Sequence, residues 1–446
     1  MKRVLAYIIF LISCALYFAA PNTYSFGYCL WIHNLFLVSA VFLYILDAKN
    51  EKVGFNVLFT LSFFFTNFVY PIYIYPIDPS YSLFQFPFNV RVITKCTALA
   101  QVGYSAYVCG YLQRLFRKYE TSFVYPFTIT KNKLRSVEIF VCLFVCLFII
   151  NGGLKYFEDR YLRGEMSSNM IVQYMMLFFT PIVIWFASLI FLCKEKLQSY
   201  QIYFILVVIS FVLMVSGTRT IPLIIFASLF IIYCYKHKVS APFVFLCVVI
   251  GTVLMSFIGS VRHDGVLDSA SSYDTDSQFG WMEHFSDLFI CNRGLYVFYD
   301  YVDSQSYTYG LSMLGCILSP IPFAQKLFMN VTGIPSYLLD SPNFHTFLQF
   351  GINAPLGLGT NIVGDVYLAF GLVGVIALFF LLGRFIVYIR GRMYKGSYLY
   401  TIAYLVVASD AIYMCRAAYF DAFKSVLWTT LIAWIFIRRQ NKKQKI

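Results

Sequence analysis

The sequence predicts an all-α, polytopic integral membrane protein with about twelve transmembrane helices and one large extracytoplasmic loop. Hydrophobic residues make up 60% of the 446 positions and charged residues only 12%, whereas soluble domains carry about 25% charged residues. Apolar runs of about 17–25 residues recur from end to end, and each can cross a bilayer. We therefore expect a single integral membrane domain over 1–446, with the loop at 261–360 between helices 9 and 10.

The apolar runs give an ordered series of spans. The predicted spans are 4–20, 28–46, 55–75, 92–112, 137–152, 170–193, 200–217, 221–235, 241–260, 361–383, 398–415 and 423–437. The first run follows Lys2 and Arg3 and predicts an uncleaved helix, since it is longer than the apolar core of a signal peptide.

The net charge of +13 is distributed unevenly. With the N-terminus placed in the cytoplasm, most lysines and arginines fall in short inner loops and in the C-terminal tail, and most acidic residues fall outside. The basic balance therefore indicates orientation and no nucleic-acid partner. We expect a multi-pass protein of a bacterial inner (cytoplasmic) membrane, with both termini cytoplasmic.

The large loop begins polar and then becomes partly apolar at 286–300 and 309–328. These stretches are too short or too broken by proline to span, and they predict interfacial or re-entrant helices. Ten of the twelve cysteines lie in or beside apolar runs, where they act as small hydrophobic residues. Cys291 and Cys316 lie in the loop, where a disulfide is possible.

Arg219 lies in SGTRT (216–220), a hairpin between two apolar spans with almost no loop. An arginine beside a helix N-terminus makes a good anion site, because the guanidinium and the first backbone N–H groups both point outward. The alternative is an arginine that anchors the chain at the lipid headgroups. Arg262, Arg293 and Arg416 are also assigned to the outer face. Each alone suits an interfacial role, but together they predict a pyrophosphate site.

The segment 341–374 combines polar and small residues ahead of the tenth span. Thr360–Asn361 predicts an N-cap, Asp365 follows one turn into the helix, and Gly371 and Gly374 favour close helix packing. His345 is a candidate general base near neutral pH, or else a hydrogen-bonded loop histidine. Asp365 is a second catalytic candidate, or else an acid that stabilises the helix N-terminus. The sequence has no phosphate-binding loop, dinucleotide fingerprint or zinc-ligand spacing, so we expect no cofactor and no metal.

Two motifs resemble those of the Wzy-type O-antigen and capsule repeat-unit polymerases. SGTRT at 216–220 resembles the family's hairpin between two mid-chain spans, and GLGTNIVGDVYLAFGLVG at 357–374 is similar to its late outer segment. Asp365 stands where many members have Glu. The resemblance implies a GT-C-like helical fold and a metal-independent glycosyltransferase. Its substrates would be undecaprenyl-pyrophosphate-linked oligosaccharides in the membrane lipid, and a chain-length regulator protein is a possible partner.

By this resemblance, arginines hold the pyrophosphate and His345 or Asp365 accepts the proton of the acceptor hydroxyl. An O-antigen ligase, which transfers the glycan to lipid A-core, shares the topology and donor. A polysaccharide flippase or other transporter also has about twelve helices, but would be expected to carry charges at the membrane midplane and shorter outer loops. The SGTRT hairpin and the long outer loop favour the polymerase.

Overall fold

The structure is a computed structural model that describes residues 2–47, 53–79, 88–113, 125, 127–156, 170–216, 218, 220–237, 239–240, 243–244, 251, 286–354 and 357–443. These residues form helices and no strands. The α-helices, in chain order, are α1 Lys2–Ala19, α2 Phe26–Asp47, α3 Phe55–Asn67, α4 Ile93–Leu112, α5 Lys131–Ile150, α6 Met170–Ser188, α7 Lys196–Val215, α8 Thr220–Lys236, α9 Ser286–Phe289, α10 Asn292–Ser304, α11 Leu314–Leu318, α12 Ala324–Thr332, α13 Ser341–Phe350, α14 Ile362–Tyr394, α15 Tyr398–Met414 and α16 Asp421–Lys443.

Helices occupy the other eleven predicted spans, and most of the ninth span, 241–260, lies outside the described residues. Five of the described helices are long and apolar enough to cross a membrane: α1, α2, α6 with its 3₁₀ extension Leu189–Phe191, α7 and α14. Helices α3, α8 and α15 are apolar but shorter. The all-helical class is confirmed, and the total of about twelve spans stays a prediction.

The chain divides into two compact units. The first comprises Met1–Thr121, Asp287–Lys395 and Ala411–Lys424, and the second comprises Ser122–Ser286, Gly396–Asp410 and Ser425–Ile446. In the second unit, Phe178 packs edge-on against Trp428 with ring centroids 4.7 Å apart. The hydroxyls of Ser188 and Tyr398 lie 2.8 Å apart, which gives α6 and α15 a buried polar contact.

Helix α4 is the centre of the first unit, and nearly all its side chains are buried against α1, α2 and α14. A Cβ added at Gly110 would clash with the carbonyl oxygen of Phe380, and one at Gly383 would clash with that of Tyr107. Glycine at both positions therefore lets the backbones of α4 and α14 touch, as small residues do between membrane helices.

At the end of α2, a buried ion pair joins this helix to α14. Arg390 Nη1 lies 2.7 Å from a carboxylate oxygen of Asp47. The Tyr111 hydroxyl donates to the same carboxylate at 2.7 Å, and the Asn56 amide donates at 2.6 Å. Arg390 also stacks over the Tyr111 ring. The charge pattern assigns Arg390 to a basic inner segment, but its side chain is only 3% exposed and forms part of this network.

Helix α14 is broken at Gly371, which adopts φ +64° and ψ −156°. Tyr307 packs over this glycine, where a Cβ would lie 2.7 Å from the tyrosine ring. The Thr308 N–H donates to the Leu368 carbonyl at 2.9 Å, and so satisfies a backbone acceptor beside the break. The expectation that Gly371 packs against another helix is therefore corrected: it accommodates a tyrosine from the large loop. Gly374 lies against Phe370 of the same helix.

The described part of the large loop folds into short helices. In α10 the side chains of Leu295, Tyr296 and Phe298 are fully buried, so this stretch packs against protein instead of resting on a membrane surface. Helix α12 differs, because it buries no residue and exposes Leu327 and Val331. Helix α12 therefore has the exposure expected of an interfacial helix. Cys291 and Cys316 are not joined by a disulfide.

Candidate active site

Helix α13 presents two polar side chains on one face, Ser341 and His345, which are four residues apart. His345 is 4% exposed, and its Nδ1 lies 2.8 Å from the Gly359 carbonyl oxygen. Because a carbonyl only accepts, Nδ1 carries the proton and Nε2 keeps a lone pair in the neutral ring. The ring is thus held in the tautomer that a general base requires.

Burial lowers the pKa of His345 to about 4, and repulsion from the Arg293 guanidinium acts in the same direction. The hydrogen bond to Gly359 opposes this shift. The imidazole is therefore neutral at physiological pH and available to accept a proton.

Arg293 lies near the start of α10, with 5% of its surface exposed, and its guanidinium is 5.7 Å from the centre of the Phe88 ring. The next residue, Gly294, brings the α10 backbone against the histidine. A Cβ there would lie 3.5 Å from His345 Nδ1 and 3.4 Å from the Asn361 backbone nitrogen. The structure therefore places the buried Arg293 next in sequence to the glycine that contacts His345, and its charge acts on the imidazole.

The turn that carries Arg416 is attached to the start of α14 by hydrogen bonds. The N–H of Thr360 donates to the Arg416 carbonyl at 3.3 Å, and the N–H of Ile362 donates to the Cys415 carbonyl at 3.1 Å. The N–H of Tyr419 donates to Asp365 Oδ2 at 2.8 Å. Arg416 itself is partly exposed and lies over the Tyr413 ring. These bonds hold Arg416 close to the segment that His345 contacts.

Asp365 is fully buried one turn into α14, as the sequence predicts. Its Oδ1 has no hydrogen-bond partner, and the Ser341 hydroxyl faces the carboxyl without making a hydrogen bond of good geometry. Asp340 and Asp421 lie nearby. Burial, and then the charges of Asp365 and Asp421, raise the pKa of Asp340 to about 7. Asp340 itself is the N-cap of α13, directly before Ser341.

Three asparagines connect the elements of the site. The Asn361 side chain accepts from the N–H groups of Val363 and Gly364, which confirms the predicted N-cap. Its amide donates to Asn67 Oδ1 at 3.0 Å, and the Asn292 amide donates to the Asn67 carbonyl at 3.3 Å. Sequence reasoning missed Asn67 and Asn292, because their partners are more than two hundred residues away and no local pattern marks them.

Four of the six predicted site residues, Arg293, His345, Asp365 and Arg416, thus lie around the segment 357–366. Arg219 and Arg262 lie outside the described residues. Among the residues that the structure describes, no group of His, Cys, Asp and Glu side chains is arranged to hold a metal ion.

A family model for the O-antigen polysaccharide polymerase Wzy matches residues 3–444. No curated protein and no solved structure matches the chain. The match covers nearly the whole sequence and agrees with the apolar helices of a multi-pass membrane protein. The chain therefore belongs to the Wzy family of O-antigen polysaccharide polymerases, which have a glycosyltransferase-type activity.

Proposed function

We propose that the protein joins undecaprenyl-pyrophosphate-linked oligosaccharide repeat units on the outer face of the bacterial inner membrane. The growing glycan is transferred from its pyrophosphate carrier to a sugar hydroxyl of a single lipid-linked unit. The supporting observation is the pair formed by His345, in a neutral tautomer fixed by Gly359, and the buried Arg293. This transfer needs a base for the acceptor hydroxyl and a cation for the leaving pyrophosphate.

In this mechanism, Nε2 of His345 accepts the proton of the acceptor hydroxyl as the oxygen attacks the anomeric carbon of the donor. The bond from that carbon to the pyrophosphate oxygen breaks, and the electron pair leaves with the pyrophosphate. The pKa of His345 is low in the absence of substrate. The negative charge of bound pyrophosphate would raise it toward the range in which a general base works well.

Arg293 and Arg416 would bind the pyrophosphate and stabilise the charge that develops as it leaves. Arg219 and Arg262 are also proposed to bind the pyrophosphate, on the basis of the sequence alone. No metal or other cofactor is required, because guanidinium groups can supply the positive charge that a leaving phosphate needs.

Asp365 is proposed to act mainly by holding the turn that carries Arg416, through its bond to the Tyr419 N–H. Its second oxygen has no partner and is buried, so it could accept a proton only from a group that enters the site. Asp365 is therefore the alternative base, and comparing Asp365→Asn with His345→Gln separates the two roles.

The proposed topology places both termini in the cytoplasm and the site outside, where lipid-linked repeat units are polymerised. A chain-length regulator protein is the proposed partner for controlling product size. An O-antigen ligase and a flippase are the alternative functions, and the family match favours neither.

The test is the surface polysaccharide of a deletion strain complemented with wild type, Arg293→Ala or the control Arg384→Ala, each at equal protein level. Arg384 carries the same charge on the distant half of α14. We expect deletion and Arg293→Ala to leave single repeat units on lipid A-core, and Arg384→Ala to restore the full ladder. Long chains that stay on the carrier lipid would indicate a ligase. Repeat units that accumulate on the cytoplasmic leaflet would indicate a flippase.

A further inference from the structure

Two pairs of residues connect α10 to the end of α3 and the turn that follows it. Asn67 accepts from the Asn292 amide at its backbone carbonyl. Tyr70, three residues after Asn67, faces Tyr296, four residues after Asn292, with ring centroids 6.2 Å apart. Phe88 covers both tyrosines, with its ring centre 5.3 Å from Tyr296 and 6.0 Å from Tyr70. The polar atoms of these pairs therefore lie in one region of the first unit.

Three polar atoms in this region have no hydrogen-bond partner: the hydroxyls of Tyr70 and Tyr296 and the side-chain oxygen of Asn292. The three residues are 3%, 0% and 1% exposed. The amide orientation of Asn292 is fixed, because its NH₂ group faces the Asn67 carbonyl and leaves Oδ1 without a donor. Buried polar atoms without partners are rare in native proteins, so three on two neighbouring elements point to a bound group that completes them.

The backbone supports the same interpretation. Residues Tyr70–Ile74 form a π-helix, a conformation that is rare and occurs frequently at functional sites. It directs Tyr70 toward α10, where Arg293 lies over Phe88 and Gly294 touches His345. The unpartnered atoms thus adjoin the proposed reaction centre.

The chemistry of the three side chains defines the ligand. Two phenol hydroxyls can donate or accept, and one amide oxygen accepts from a hydroxyl. The rings of Tyr70, Phe88 and Tyr296 supply flat apolar surfaces. Neither these three residues nor Asn292 carries a charge. We infer that Tyr70, Tyr296 and Asn292 bind the hydroxyl groups of a sugar ring beside the pyrophosphate site. The identity of the ligand as a glycan rests on the proposed function.

The test uses the purified full-length protein in detergent and two probes in titration calorimetry. One probe is the oligosaccharide released by mild acid from the host's own lipid-linked repeat unit, and the other is inorganic pyrophosphate. Tyr70→Phe and Tyr296→Phe each remove one hydroxyl and keep the ring. We expect each to weaken oligosaccharide binding about five- to tenfold, and to leave pyrophosphate binding unchanged. The melting temperatures of the two variants should stay the same or rise, because the hydroxyl that each loses has no protein partner.

Tyr104→Phe is the matched control, since this buried tyrosine has a hydroxyl partner in Thr60 at 2.8 Å. It should lower the melting temperature and leave both affinities unchanged. The inference is overturned if the wild type does not bind the oligosaccharide. It is also overturned if Tyr70→Phe and Tyr296→Phe lose stability as Tyr104→Phe does, with unchanged affinity. Persistence of the polysaccharide ladder in the deletion strain would instead refute the proposed function.

Discussion

At the scale of single residues, the chemistry depends on the environment of His345. We expect His345→Gln to lower polymerisation by about 10²–10⁴-fold, because glutamine can still donate to Gly359 but cannot accept a proton. Polymer yield from lipid-linked repeat units measures the effect. Gln349→Ala, on the same helix, should keep full activity. If His345→Gln keeps its activity at normal protein level, Asp365 is the general base and His345 is not.

The carboxyl group of Asp340 should make the stability of the folded protein depend on pH. The pKa of this carboxyl in the folded protein, about 7, lies above its ordinary value of 3.8. The folded state therefore holds a proton that the unfolded chain releases, so this contribution to stability is complete at low pH and is lost as pH rises through 7. Asp365, Asp421 and Cys316 are the titratable groups around it.

We expect the melting temperature of the wild type to fall between about pH 5 and pH 8, and that of Asp340→Asn to fall less. Asp340→Asn should also be the more stable protein at the upper end of this range. Thermal unfolding in detergent across the pH series measures both. Asp303→Asn, at an exposed position, should leave the wild-type profile unchanged. A wild-type melting temperature that rises with pH would contradict the assignment.

At the scale of helices, the contact between α4 and α14 depends on glycine. Gly110→Ala places a methyl group on the Phe380 carbonyl, and we expect it to cost about 1–3 kcal/mol through overpacking. Gly27→Ala is the matched control, because a Cβ there meets nothing within 4 Å and the site is helical. Thermal unfolding of both variants checks the difference. Equal melting temperatures would mean that the two backbones are not in contact.

The positions of the helices could be predicted from sequence, because a bilayer imposes a length and an apolar composition on each span. The Asn361 cap was also predictable, since an N-cap depends only on residues close in sequence. The break at Gly371 was not, because it requires Tyr307 and Thr308 to reach the helix from the large loop. The sequence also could not predict the contact of His345 with Gly359 or the partners of Asn67, since these are tertiary contacts.

At the scale of the whole molecule, the pair formed by Asp47 and Arg390 connects segments that are far apart in sequence. Removing one partner leaves the other charge buried, and we expect Asp47→Ala or Arg390→Met to cost about 3–5 kcal/mol. The double variant should be less destabilised than the sum of the two single variants. Unfolding of all four proteins in detergent gives the coupling energy. Strict additivity would contradict a direct interaction.

Orientation can be tested independently of activity. Arg390 lies near the end of α14, and Asp365 lies in its first turn. If basic residues stay inside, α14 runs from the outer to the inner face and its start, with His345 and Arg293, is extracytoplasmic. The proposed function requires this direction, because it places polymerisation on the outer face of the membrane.

We expect green fluorescent protein fused after residue 446 to fluoresce, because it folds in the cytoplasm. Alkaline phosphatase fused after residue 350 should be active, because its disulfides form only outside. In the exchanged fusions, the phosphatase after residue 446 should be inactive and the fluorescent protein after residue 350 should not fluoresce. Phosphatase activity at residue 446 would place the C-terminus outside and reverse α14. His345 would then face the cytoplasm, and an outer-face polymerase site built on it would be ruled out.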